Sequence, residues 1–341
     1  MTTDALERIS IDQWHEFAAS HANATVFHHR NWLELLVEQY GYRPHIFAIR
    51  QNGAVVSAVP FLETRSLSGK RKLISLPFTD WMEILASGPD AAAEIIRGLC
   101  EIGFRQYHTV VIRTDRPLEG DPKTNGWVRH ELSTAGDIDQ IVARSAHAVR
   151  GNVRKARKNQ LMFERQTDPG AMETFYRLHL RTRRKLGVPI QPRAFFQRLA
   201  RRILQRKLGF VGIVRKGPDA IAAAVFLMYG ETMIYKYGAS NPDALSLRPN
   251  DWLLYHALRL ATEEGCPRFD FGVSRLEDEG LRRFKRKWGA SETAVHFEYI
   301  VGNGSQSNPH RLPLSIASLA IRYGPPICCR ALGRLFYKYS P

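Results

Sequence analysis

An internal duplication constrains this chain more than any other feature. The segment HIFAIRQNGAVVSAVPFLETR, beginning at His45, and the segment GFVGIVRKGPDAIAAAVFLMYG, beginning at Gly209, both read as a strand, a glycine-containing turn and a second strand rich in Ala and Val. Downstream, AEIIRGLCEIGFRQYHTVVIR is matched by YHALRLATEEGCPRFDFGVSR, each a helix, a glycine (Gly103 or Gly265) and a short apolar strand. Two units in the same order at nearly the same offset predict a duplicated α/β (α+β) fold over about residues 8–143 and 145–302. A chain of 341 residues can bury two such cores.

The second copy reads more clearly. Periodicity and capping predict a basic helix opening at Ser145, a strand near Met162–Thr167, helices over about 170–186 and 193–206, and a three-strand meander from Phe210 to Tyr237. A helix from Asn250 to Glu264, a strand over Arg268–Val273, a helix near Leu281–Trp288 and a strand over Thr293–Ile300 complete it. Beyond residue 302, GNGSQSNP reads as a loop, and Leu312–Tyr339 as a basic, apolar tail in which Pro325-Pro326 separates two short helices. The expected domains are 1–144, 145–302 and a tail over 303–341.

Charge is plentiful and unevenly placed. The formal net charge is +16; no acid lies between Glu173 and Asp219, a span with thirteen basic residues, and none follows Glu298. Cations without internal partners repel, so an external anion is expected, whether nucleic acid, a phosphorylated donor or lipid headgroups; a merely soluble basic surface is the plain alternative. No segment approaches the ~18 apolar residues of a membrane span. MTTDALERIS has no basic start and no apolar run, which makes the cytoplasm the default compartment. Cys100, Cys266 and the adjacent Cys328-Cys329 lack the spacing of a structural zinc site, and no metal is expected.

Helical geometry sorts the cations. In LRRFKRKWGA, helical spacing puts Leu281, Phe284 and Trp288 on one side and Arg282, Arg283, Arg286 and Lys287 on the other, while Lys285 falls about 40° from Leu281, on the apolar side. Such a lysine is either a snorkelling stem or a functional ammonium. In AMETFYRLHLRTRRKLG, Met172, Phe175, Tyr176, His179 and Leu186 share a face with Thr182 and Arg183. His179 is then a hydrogen-bonded core residue or a candidate base, and Arg183 a guanidinium that needs a partner. Arg150, Arg154, Arg157 and Lys158 form a stripe opposite Val149, Val153 and Ala156, suited to a polyanion, a phosphate group or plain solvent.

Five ordered segments carry a resemblance: SLPFTDW at Ser75–Trp81, VRKARKN at Val153–Asn159, RPNDWLLYHAL at Arg248–Leu258, FDFGVS at Phe269–Ser274 and FKRKWG at Phe284–Gly289. With them the chain resembles the FemAB-like branch of the GNAT superfamily, and within it the relatives associated with the exosortase/PEP-CTERM system, whose C-terminus RLPLSIASLAIRYGPP also resembles. The resemblance implies tandem duplicated GNAT-like domains with the substrate channel in or beside the second. It implies transfer of an aminoacyl or acyl group, from aminoacyl-tRNA or acyl-CoA as co-substrate, to a lipid- or nucleotide-linked envelope precursor of peptidoglycan or exopolysaccharide. No tightly bound cofactor is implied. The family's catalytic Phe-Lys pair falls on Phe284 and Lys285. One departure bears on the donor: YGASNPDALSLRPND has no second glycine where CoA-dependent relatives cradle a pyrophosphate, although the helix start at Asn250 offers backbone N–H groups.

The expected chemistry is attack by an amine, or secondarily a hydroxyl, on an ester or thioester carbonyl, with Lys285 stabilising the oxyanion and His179 and Asp270 as reserve proton carriers. Asp270 has a structural alternative, an ion pair with Lys285 itself. Arg154, Arg157 and Arg183 are expected to hold phosphates; Tyr176, Tyr237, Asn250, Asp251, Trp252 and Ser274 complete the predicted substrate-binding set. Two rivals remain. A nucleic-acid module, tRNA included, needs exposed aromatics, against which Phe284 and Trp288 sit on the core face. A non-catalytic scaffold would rest its acid-free tail on anionic lipid at the inner face of the membrane.

Overall fold

A computed structural model describes residues 6–66, 69–114, 126–301 and 315–339. The chain forms two compact units, the first made of residues 1–127, 294–312 and 337–341 and the second of 128–293 and 313–336.

The first unit contains β1 (Glu7–Arg8), α1 (Ile11–Ala19), α2 (Arg30–Tyr40), β2 (Arg43–Gln51), β3 (Ala54–Arg65), β4 (Arg71–Ile74), β5 (Leu85–Ala86), α3 (Pro89–Gln106) and β6 (Thr109–Thr114). In the second lie β7 (Trp127–Ser133, from Val128 on), α4 (Ile138–Arg144), α5 (His147–Lys158), β8 (Met162–Gln166), α6 (Pro169–Leu186) and α7 (Arg193–Arg202). These are followed by β9 (Gly209–Lys216), β10 (Asp219–Tyr229), β11 (Thr232–Ser240), a 3-10 turn at Pro242–Leu247, α8 (Pro249–Glu263), β12 (Arg268–Arg275) and α9 (Glu279–Arg286). Last come β13 (Ser291–Val301), which runs out of the second unit into the first, α10 (Ser315–Tyr323) and α11 (Pro326–Tyr339).

The duplication is visible in the ladders. Strands β1-β2-β3-β4 pair antiparallel and β4 pairs β6 parallel; likewise β8-β9-β10-β11 pair antiparallel and β11 pairs β12 parallel. Even the irregularities match. The β2–β3 hairpin skips Val56 and the β9–β10 hairpin skips Ile221, in each case the third residue of the second strand. The first hairpin turns through Asn52 and Gly53, both at positive φ (51° and 83°), the backbone of a tight turn that matches strand twist.

The sixth strand breaks the correspondence. β13, which follows α9, pairs antiparallel with β6 in the first unit, and β7, which follows β6, lies beside β12 in the second. The compact units therefore cut across the repeat boundary expected at 144/145. β7 joins the second unit because Leu132 packs into its core and Thr134 N–H donates to Pro267 O at 3.0 Å.

In the second unit α5 and α8 cover one face of the sheet, with Phe210, Ala222, Ala224, Phe226, Phe269 and Trp288 in the core beneath them. Strand alternation turns Ala223, Val225 and Leu227 to the other face, where α6 packs on β10 and β11 and they are equally buried. Two apolar placements expected from helical spacing need correction. Leu186 is 57% exposed because it is the last residue of α6 before the left-handed cap at Gly187, and Leu281 is 38% exposed in the first turn of a short α9. The tail is not a separate element over its described part: α10 packs on α6.

Candidate functional site

The short helix α9 buries a cation. Lys285 is 3% exposed, far below Leu281 and below the half-buried Phe284 of the same helix. Its Nζ donates to Gly272 O at 3.0 Å and Val273 O at 3.1 Å. Successive carbonyls of a regular strand point in opposite directions, so two of them meet one ammonium only where the strand is broken. Gly272 supplies the break with φ of 69°, a left-handed backbone that glycine adopts at no steric cost. Asp270 holds it: Oδ1 accepts the Gly272 N–H at 2.6 Å.

Asp270, 1% exposed, also accepts from Arg129 Nε at 2.9 Å, and Arg129 pairs in turn with Glu131. The expected ion pair of Asp270 with Lys285 is thus replaced by one with Arg129, brought alongside by β7. Ser274, also on β12, is 2% exposed with an unpartnered Oγ.

The neighbouring His130 was not singled out from sequence. It is fully buried, neither ring nitrogen has a hydrogen-bond partner, and its Nδ1 lies 3.7 Å from Glu292. Burial, and next the positive charge of Lys285, push its pKa down to about 4, so the ring is neutral at ordinary pH. A signal existed in WVRHELS, where Val128, His130 and Leu132 alternate onto the buried face.

The flanking cations differ from the solvated set expected. Arg282 is only 17% exposed and makes two bonds to Glu292, at 3.1 and 2.7 Å, which holds the Glu292 carboxyl below its usual range. Lys287 pairs with Asp251 at 2.5 Å and lies 4.5 Å from the Phe284 ring centre. A strand or helix neighbour 10 or more residues away decides these positions, which periodicity within one helix cannot register. Asp251 also accepts from Asn152 Nδ2 at 3.0 Å, pinning α5, α8 and the end of α9 together. The pin is completed by Ala146 N–H to Lys287 O at 2.8 Å and Ser145 Oγ to Trp288 O at 3.1 Å.

The remaining predicted residues lie on other elements. His179 (5% exposed) stacks on Phe175 at 5.1 Å and meets Phe196 and Tyr237 in an aromatic cluster that includes the buried Tyr176. Burial, with Arg183 second, lowers the His179 pKa to about 3, and burial raises that of Tyr176. Tyr237 OH accepts from Gln191 Nε2 at 2.9 Å, and half-buried Arg183 donates to Pro189 O at 2.9 Å. Arg154 and Arg157 are exposed on α5. At the start of α8, Arg248 at φ of 66° gives no side-chain cap; Asn250 Nδ2 reaches Ser240 Oγ at 3.4 Å, and Trp252 stacks on Tyr255 at 5.4 Å. The structure thus joins Lys285, Asp270 and Ser274 around β12, turns Phe284 to Lys287 and the core, and gathers His179, Tyr176 and Tyr237 around α6.

Among the described residues no group of three or more His, Cys, Asp or Glu side chains has metal-holding geometry, and no helix is long and apolar enough to cross a membrane.

Residues 143–286 match the acetyltransferase (GNAT) domain family. A lipid II:glycine glycyltransferase of Staphylococcus haemolyticus is 32% identical over 108 residues, 29% of this chain and 26% of that protein, so the match spans about a quarter of the relative's length. Among solved structures, FemX superposes with a TM-score of 0.67 at 15% identity, covering 87% of this chain and 97% of its own. A tandem GNAT protein from the clavulanic acid biosynthesis pathway gives 0.50 at 10% identity, covering 89% and 100%. These two likenesses establish the duplicated fold.

Proposed function

We propose that the chain belongs to the FemAB-like branch of the GNAT acyltransferases, and from that premise that it is an enzyme transferring an aminoacyl group to an amine of a lipid-linked cell-envelope precursor. The observation that carries the proposal is the Lys285 ammonium, buried and fixed by two backbone carbonyls. The acceptor nitrogen attacks the donor carbonyl carbon; a C–N bond forms, the C–O bond of the ester breaks, and the leaving hydroxyl takes up the proton the amine gives up. Negative charge collects on the carbonyl oxygen between these events. A pre-placed ammonium needs no reorganisation to meet it, a contribution of about 3–4 kcal/mol on the scale of one oxyanion-hole donor.

Phe284 lies one residue away on the same helix and shapes the approach to the ammonium. Arg154 and Arg157, exposed on α5, are the proposed contacts for donor phosphates, with Arg183 on α6. Tyr176, Tyr237, Asn250, Trp252 and Ser274 stay in the proposed binding set, whereas the bonds of Asp251 to Asn152 and Lys287 give it the role of holding helices. His130, neutral and beside Lys285, replaces His179 as our reserve proton carrier.

An aminoacyl ester is favoured over acyl-CoA as donor. The 3-10 turn at Pro242–Leu247, capped by Asn241 Oδ1 on Asp243 N–H at 3.2 Å, stands where a glycine-rich pyrophosphate cradle is required. The acceptor class, peptidoglycan or the exopolysaccharide of an exosortase-bearing envelope, and action at the inner membrane face belong to the same proposal. Incubating the purified chain with aminoacyl-tRNA pools or acyl-CoA pools, and lipid-linked or nucleotide-linked precursors, with mass detection of the acceptor, tests it. An aminoacyl mass increment from tRNA alone is expected; an increment from acyl-CoA alone overturns the donor, and none from either overturns the activity.

A further inference from the structure

The consecutive helices α10 and α11 form a helix pair that is fixed to the second unit on one side and exposes large apolar side chains elsewhere. Arg184 Nη2 donates to Gly324 O at 2.6 Å in the turn between the helices. Cys329 is buried, and Gly333 sits so close to Ile190 that a Cβ there would come within 1.8 Å of its carbonyl oxygen. The helix pair therefore docks through backbone contact rather than hanging free.

Its outward face is not polar. Leu319 and Tyr323 stand one turn apart on α10, 56% and 76% exposed, and Ile327 and Leu335 stand two turns apart on α11 with Ala331 between them, 67% and 53% exposed. Leu186, 57% exposed, ends α6 next to Gly187, whose added Cβ would touch Ser318 of α10. Five of the nine large apolar side chains exposed among the described residues thus fall on this one region. Arg322 and Arg334 are exposed among them, Arg330, also exposed, is hydrogen-bonded to Tyr176 of α6, and the chain carries no acid after Glu298. Rows of aliphatic side chains flanked by arginines fit a planar surface that is apolar below and anionic at its rim.

We propose that the exposed apolar side chains of the α10–α11 helix pair, with Leu186, dock on anionic bilayer lipid, the apolar rows entering the headgroup layer and the arginines meeting lipid phosphates. The inference rests on the reading of a lipid-linked acceptor, and it names the surface that would bring the enzyme to that acceptor. Co-sedimentation of the full chain with vesicles of phosphatidylcholine alone, or with added phosphatidylglycerol, tests it without donor or acceptor present, so failed transfer and failed docking are read separately. The expected result is binding to the anionic vesicles only, weakened by salt. Arg322→Gln with Arg334→Gln should weaken it by roughly fivefold per arginine. Leu319→Gln, Ile327→Gln and Leu335→Gln together should abolish it, with unchanged thermal melts because all three side chains are exposed. Equal binding by wild type and both variants, no binding by wild type, or a dimer in solution that the same leucine and isoleucine changes dissolve, overturns the proposal.

Discussion

Both units bury charge, but they satisfy it differently. In the first unit Glu63 gives one oxygen to Arg71 Nε and the other to Arg71 Nη2, both at 3.0 Å, and also meets His45 Nε2 at 3.2 Å. That group is closed, and Arg71, 44% exposed at its side chain, reaches water. In the second unit Asp270 and Arg129 are 1% and 14% exposed, Lys285 is buried on two carbonyls, and His130 and Ser274 keep unpartnered polar atoms. Unsatisfied buried polar atoms cost about 1–3 kcal/mol each. The same ladder has thus been built twice, once around an ion group that reaches water and once around a dry, fixed ammonium; the buried Tyr107 hydroxyl beside Arg71 is unpartnered too, so it is the buried charge that marks the second as a site of chemistry.

Substitutions can break that contrast. The largest effect on stability is expected from Asp270→Ala, which leaves a mostly buried Arg129 without one of its two carboxylate partners and frees the Gly272 N–H; loss of about 3 kcal/mol is expected by chemical denaturation. Glu63→Ala in the first unit should cost about 1 kcal/mol in the same measurement, because Arg71 rehydrates. Equal losses would remove the distinction between the units. For His130→Phe the two readouts should part: stability within about 1 kcal/mol of wild type, since an apolar ring replaces an unsatisfied one, with transfer reduced.

A smaller effect separates buried histidines from exposed ones. His28 and His179 are neutral in the fold, with pKa values brought by burial to about 4 and about 3 from 6.5. A depressed folded value means the unfolded chain binds protons first. Their contribution is therefore complete above pH 6.5, declines as pH falls below it, and is gone by about pH 3–4. Melting temperature should fall over that window, and less so in His179→Phe; identical slopes would contradict neutral burial.

Much of this architecture was legible in the chain. The repeated hairpins located both ladders, and helical angles alone separated Lys285 from its neighbours. What local periodicity could not supply was pairing across long separations. Arg129 and Asp270 lie 141 residues apart, and they meet because β7 joins β12 rather than the ladder of its own repeat. The same exchange hid His130, assigned by sequence order to the first copy. Arg282 and Lys287 looked solvated because the carboxylates that bury them, Glu292 and Asp251, lie outside their helix.

Catalysis by this site requires the Lys285 ammonium to act on the reacting carbonyl rather than merely hold β12 to α9. Single-turnover transfer at saturating donor and acceptor, in wild type and in Lys285→Ala, tests this most directly. A chemical step slowed by about 10²–10³ with donor affinity unchanged is expected. An unchanged rate in a variant that still folds would contradict it and leave the buried amine a structural pin.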